Sequence, residues 1–175
     1  MGGLNAMNYI FDIDGTLMDI NHRRHFVEGE TKDWKSFIAN IKYDIPNPPV
    51  ADVMRNLTNY DNNIFFLTGR SEAQRDITIQ QIEDCGYNHQ NQGDLRPKDD
   101  TYRINYHYSE ILLMRPDDDY RPDAELKSDL YDKLVELHDY SFKTQDTIIF
   151  DDRQSVVDMW RARGLTCCQV AEGDF

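Results

Sequence analysis

Basic residues are scarce in this chain. Across 175 residues it carries 19 lysines and arginines against 32 aspartates and glutamates, a formal net charge of −13. Proteins that grip long nucleic acid draw much of their affinity from neutralising phosphates. A long nucleic-acid groove is therefore excluded, whereas a local basic pocket for one nucleotide or a strand end is not. Long apolar runs are also missing: none approaches the roughly 18 residues of a membrane span, and no signal-peptide pattern opens the sequence. Cysteine is limited to Cys85, Cys167 and Cys168. Neighbouring cysteines rarely bridge and give no zinc-ligand spacing, which leaves reduced thiols and a cytoplasmic setting as the expectation. Repeats and low-complexity tracts are absent too. The remainder is 39% hydrophobic and 11% aromatic, the composition of a globular protein. One domain over residues 1–175 is expected, long enough for a core plus a small insertion. Residues 1–7 read as an expression scar or disordered lead-in, because strand pattern begins only at Asn8.

Short β-branched or aromatic runs alternate with amphipathic segments. Strands are expected at Tyr9–Ile13, Asn63–Leu67, Glu110–Met114, Thr147–Phe150 and Thr166–Val170, and helices at Lys32–Tyr43, Val50–Tyr60, Glu72–Cys85, Ala124–His138 and Gln154–Arg163. In the clearest helix, Leu126, Leu130, Leu134 and Leu137 share one face behind the start signals Pro122 and Asp123. Such alternation predicts an α/β fold: a Rossmann-like parallel five-stranded sheet flanked by helices and joined by right-handed crossovers. Two stretches exceed that repeat. The extra amphipathic segment "TKDWKSFIANI" predicts a small helical cap insertion within residues 19–62. The polar, tyrosine-rich stretch Gly86–Ser109 is too long for an ordinary connection and is expected to be functional, irregular or mobile.

Ligands of open α/β sheets bind beyond the carboxyl ends of the strands, so those ends are where chemistry is sought. The first strand, "YIFDIDGT", ends on Asp12 and Asp14, which share a face because strand periodicity is two. The second ends on Thr68, Gly69 and Arg70, the third on Arg115, and the fourth on Asp151, Asp152 and Arg153. Lys127 lies near the start of the helix entering the fourth strand. Taken singly, each is more often mundane: Asp-x-Asp-Gly a turn, Asp151-Asp152 a helix cap, Lys127 a solvated residue. Arriving together at one sheet edge, they describe a site. Four carboxylates facing one ammonium repel strongly unless some protonate or a cation joins them. An all-oxygen donor set without His or Cys favours a hard ion, and beside phosphate that is Mg²⁺.

The ordered set resembles the haloacid-dehalogenase-like phosphatase superfamily, with "DIDGT", Thr68, Lys127 and the acidic pair of "IIFDDR" as its four motifs. The carboxyl end, "DDRQSVVDMWRARGLTCCQVAEGDF", is similar to that of the 3′-phosphatase domains of bacteriophage polynucleotide kinases. Arg23, Thr68-Gly69-Arg70, Arg115 and Arg121 match arginines and a serine-glycine-arginine of those domains. No Gly-x-x-x-x-Gly-Lys-[Ser/Thr] phosphate loop is present, so kinase activity is not implied.

The resemblance implies Asp12 as nucleophile forming an aspartyl-phosphate and Asp14 as general acid, then base. It implies Thr68 and Lys127 on the transferring phosphoryl group, and Mg²⁺ on Asp12, the Asp14 carbonyl, and one or both of Asp151 and Asp152. It places Gly69, Arg23, Arg70, Arg115 and Arg121 toward the rest of a substrate, which is a phosphorylated nucleotide or a nucleic-acid 3′ end. The alternative is a 5′-nucleotide or another small phosphorylated metabolite. Trp34 and Phe37 are expected as cap core rather than as base platforms.

Overall fold

In the computed structural model, residues 7–58, 62–87, 111–138 and 142–173 are described. Residues 1–6 of the expected lead-in, most of the 86–109 segment and Glu110 of the third predicted strand lie outside them. The chain begins with β1 (Asn8–Phe11). A small excursion follows: β2 (Met18–Asp19), α1 (Asn21–Arg24), α2 (Trp34–Ala39) and β3 (Ile45–Pro46). Then come α3 (Pro48–Leu57), β4 (Asn63–Ser71), α4 (Arg75–Asp84), β5 (Leu112–Arg115), α5 (Asp123–His138), β6 (Thr147–Arg153), α6 (Gln154–Ala162) and β7 (Thr166–Gly173).

Five strands form one sheet in the order β5-β4-β1-β6-β7, with every pairing parallel. β1 is central, with Phe11 opposite Phe66 on one side and Phe150 on the other. Parallel strands are covered on both faces and so read as nearly continuous apolar runs. Ile10, Phe11, Ile64, Phe65, Phe66 and Leu67 are all buried accordingly. Leu126, Leu130 and Leu134 turn the apolar face of α5 inward as their spacing predicts. Lys127 is buried on that helix too, which removes the reading of a solvated face residue.

The strands bearing the site run longer than their hydrophobic runs suggest. β4 extends through Thr68, Gly69 and Arg70 to Ser71, and β6 extends through Asp151 and Asp152 to Arg153. Polar groups stay in the ladder there because the site, not solvent, receives their side chains. β1 is shorter than predicted: its ladder ends at Phe11, although the Asp12 amide still donates to the Phe150 carbonyl at 3.0 Å.

The predicted helix Lys32–Tyr43 is interrupted. Asp33 caps its start by accepting from the Ser36 amide, and Asn40 ends it by donating to the Ser36 carbonyl, after which Ile41–Tyr43 forms a 3₁₀ turn. The Glu72–Cys85 segment likewise opens as a 3₁₀ turn at Glu72–Gln74 under a Ser71–Gln74 capping box. The helix predicted at Val50–Tyr60 starts earlier, since prolines tolerate the first helical positions where no amide partner is needed. The β2–β3 pair is antiparallel, with Met18 opposite Pro46. It was too short to leave a period in the sequence.

Candidate active site

β1 and β6 bring three carboxylates together, Asp12 directly after β1 and Asp151 and Asp152 on β6. Ligand oxygens of Asp12, Asp151 and Asp152 lie within 4.8 Å of one another, and all three residues are buried. Gly15 and Gly173 press on Asp152 from two sides: a Cβ at either would come within 2.4 Å or less of its Oδ2. Gly15 is held at φ +81°, a left-handed conformation that favours glycine. It follows Asp14 in the turn between β1 and β2, where its amide donates to the Met18 carbonyl at 2.9 Å.

Lys127 reaches in from α5. Its Nζ lies 2.8 Å from Asp12 Oδ1 and 2.9 Å from Asp151 Oδ2. Burial alone would lower the lysine pKa, but Asp12 and Asp151 outweigh it and raise the value, so the ammonium stays charged. Asp151 also accepts from the Trp160 indole at 3.4 Å and from the Arg153 amide at 3.2 Å.

Burial, together with the charges of Asp151 and Asp152, raises the Asp12 pKa well above the usual carboxylate range despite Lys127. Asp152 is pushed up to about 6 by burial and then by Asp151. Both Asp152 oxygens are buried without a hydrogen-bond partner among the described residues. An orphaned buried carboxylate is costly, and a cation among these three acids would supply the missing partner. The donor set is all oxygen. Asp12, Asp151 and Asp152 therefore fit Mg²⁺, whereas the Asp14 carboxylate turns elsewhere.

Asp14 is held by two arginines. Arg23 Nη2, Arg70 Nε and Arg70 Nη2 donate to its Oδ1 at 2.7, 2.8 and 2.5 Å. None of these bonds falls on Oδ2, and the side chain retains 21% exposure. Burial would raise the Asp14 pKa, but Arg70 and then Arg23 more than offset it, so the value is lowered.

Behind Asp14 sits a residue that sequence reasoning missed. Asp44, buried directly before β3, accepts from Arg23 at 2.6 Å and from Arg70 at 2.8 Å. Arg70 also donates to Thr78 and Gln81, and the Arg23 guanidinium lies 4.1 Å from the Phe37 ring centroid. Arg23 is 0% and Arg70 4% exposed. The structure thus places these two behind Asp14, bonded to its carboxylate and to that of the buried Asp44. Nothing local in the sequence marks Asp44; only the tertiary fold brings it there.

Thr68 is 1% exposed, at the end of the apolar run of β4, and its hydroxyl accepts from the Arg70 amide at 3.2 Å. At Gly69 a Cβ would stand 2.8 Å from the Asp123 carboxylate. Asp123 is the second missed residue: it accepts from Arg115 and, at 2.7 Å, from Arg153, tying together the ends of β5 and β6. Its signal was available, four residues before Lys127 on the same helix face. Arg115 is fixed to the Gly69 carbonyl at 2.9 Å. Arg121 is apart from the buried cluster: its half-exposed side chain pairs with Asp119 and Asp129. Gly173 is the third omission, since β7 was expected to stop at Val170. A cleft of about 150 Å³ borders the Asp152 side, lined by Asn21, Arg24 and Asn47 among others.

A parallel α/β sheet with two aspartates after its central strand, a threonine after the next, and a buried lysine facing an acidic pair defines a haloacid-dehalogenase-like hydrolase. The chain belongs to the family described as "polynucleotide kinase PNKP phosphatase domain", whose model matches residues 6–175, and it is a phosphatase. It is similar to a chain in the structure of a Pnkp1/Rnl/Hen1 RNA repair complex, with 28% identity and a TM-score of 0.64 over 97% of this chain. That match spans 44% of the other chain, so this chain covers less than half its length. A haloacid-dehalogenase-like hydrolase from Streptococcus pneumoniae shares the fold at 12% identity, with a TM-score of 0.61 over 94% of this chain and 84% of that one.

Proposed function

We propose that this phosphatase is a Mg²⁺-dependent phosphomonoesterase that removes 3′-phosphate from nucleotides or nucleic-acid ends through an aspartyl-phosphate on Asp12. The observation that carries the chemistry is the pairing of Lys127 with Asp12 beside the orphaned Asp152 carboxylate. The 3′ preference rests on family membership and on likeness to a chain of an RNA repair complex.

Bound magnesium supplies charge neutralisation that lets an anionic phosphate approach an anionic nucleophile. Asp12 attacks phosphorus through a carboxylate oxygen, the P–O bond to the leaving alkoxide breaks, and the phosphoryl group is left on Asp12. Lys127 and the Thr68 hydroxyl hold the non-bridging oxygens. Because Arg70 and Arg23 keep the free Asp14 carboxyl ionised, it takes up a proton as the phosphate dianion arrives, gives it to the departing alkoxide, and then takes one from the water that hydrolyses the acyl-phosphate. With the arginine bonds all on Oδ1, Oδ2 serves this transfer, and Arg23 and Arg70 fix the carboxyl group's aim. The domain assignment offered with this reading is one phosphatase domain over residues 1–175, with a cap within 19–62.

The test is phosphate release, with and without magnesium, from a 3′-phosphorylated oligonucleotide, nucleoside 3′- and 5′-monophosphates and sugar phosphates. The proposal expects magnesium-dependent release with the 3′-phosphorylated substrates ahead. Faster turnover of 5′-nucleotides or sugar phosphates would overturn the 3′ assignment.

A further inference from the structure

Tyr120 is the most exposed large apolar side chain among the described residues, at 88%. It lies within "RPDDDYRPD", the connection from β5 to α5, after the turn at Asp117–Asp118. That connection leaves the carboxyl edge of the sheet beside Gly69 and enters the helix that carries Lys127.

The connection is held firmly. A single guanidinium, that of Arg115, donates to the carbonyls on both sides of Tyr120, Asp119 at 3.1 Å and Arg121 at 2.8 Å, while its Nε donates to the Gly69 carbonyl. The Asp119 carboxylate accepts from the Arg121 amide at 2.9 Å, and Asp117 accepts from the Ala73 amide at 2.9 Å. A ring displayed to water on a fastened loop forgoes the burial that aromatic side chains usually gain. Aromatic rings kept in this way are suited to stacking on bases, since little ordering remains to be done on binding.

The surrounding charge narrows the occupant. Asp117, Asp118 and Asp119 precede the ring, and Arg121 is already paired with Asp119 and Asp129. The surface around Tyr120 therefore repels phosphate yet accepts an uncharged planar group.

We propose that Tyr120 stacks on the base of the nucleotide whose phosphate is removed, so that the enzyme reads a base-bearing monoester rather than a bare sugar phosphate. This inference rests on the nucleotide-phosphatase reading above and names the group that would recognise the nucleoside.

The test compares kcat/KM for a nucleoside 3′-monophosphate with that for an abasic deoxyribose 3-phosphate, whose leaving oxygen is chemically alike. The parent should prefer the base-bearing substrate. Tyr120→Ala should reduce the ratio of the two values roughly tenfold, chiefly through KM, while Tyr120→Phe and Tyr120→Trp keep it. A parent without preference for the base, or a Tyr120→Ala ratio equal to the parent's, overturns the proposal. A parent that favours 5′- over 3′-monophosphates defeats the 3′ assignment alone. The same comparison then runs on a nucleoside 5′-monophosphate against ribose 5-phosphate, with the same supporting and overturning results.

Discussion

At the scale of single residues, the site is a problem of uncompensated charge. Asp152 has two buried, unpartnered oxygens and a pKa raised to about 6 by burial and by Asp151. A raised carboxyl pKa means that the folded state holds the proton more tightly than the unfolded chain. The stability this contributes is present below about pH 4 and is lost as pH rises to about 6. Without metal, Asp152→Asn should therefore gain on the parent as pH rises from 4 to 7, by up to roughly 3 kcal/mol or several degrees of Tm. Magnesium should close that gap by stabilising only the parent. Thermal melts of both proteins across this range check it; a gap independent of pH and magnesium would contradict the assignment of Asp152 as a ligand.

Asp14 calls for a different test, because its proposed work is proton transfer. Asp14→Asn should slow an alkyl phosphate far more than an aryl phosphate, whose leaving group needs little protonation. Burst kinetics on both substrates would show it, and equal slowing of the two phosphorylation steps would remove Asp14 from that role.

At the scale of elements, the sequence is most legible where one strand or helix declares itself. The alternation of apolar runs and amphipathic helices predicts the parallel sheet, and Asp12, Thr68, Lys127 and Asp151 each sit at the end of an element whose pattern is clear. What escaped has a physical reason. Asp44 acts across the fold on Arg23 and Arg70, and sequence distance carries no trace of that contact. The resemblance directs Arg23 and Arg70 toward a substrate, and the structure buries both behind Asp14 with Asp44 as a shared partner. Gly173 was missed because β7 outruns its apolar pattern to pack against Asp152. That packing gives an element-level prediction. Gly173→Ala should leave the sheet folded but displace the Asp152 carboxylate, since the new Cβ would stand 2.4 Å from its Oδ2. The magnesium concentration for half-maximal activity should rise at least about tenfold, as for other disruptions of metal-site support. An unchanged magnesium dependence would show that Asp152 can move without consequence.

At the scale of the whole molecule, a net charge of −13 bears on substrate length. Outside the site the surface repels a phosphate backbone. If the substrate is a 3′-phosphorylated strand, kcat/KM should therefore gain little beyond a few nucleotides, as a length series at fixed ionic strength would show. A steady rise with length would demand a basic track that the composition does not provide.

Covalent catalysis by Asp12 can be tested by trapping its phosphorylated intermediate. Asp14→Asn protein with magnesium and an aryl phosphate should accumulate phosphate on the enzyme, because hydrolysis of the acyl-phosphate lacks its base. Borohydride reduction followed by peptide mass spectrometry should then find the modification at Asp12, and Asp12→Asn protein should yield none and turn over no substrate. Modification at another residue, or turnover by Asp12→Asn at a rate near the parent's, would contradict the account.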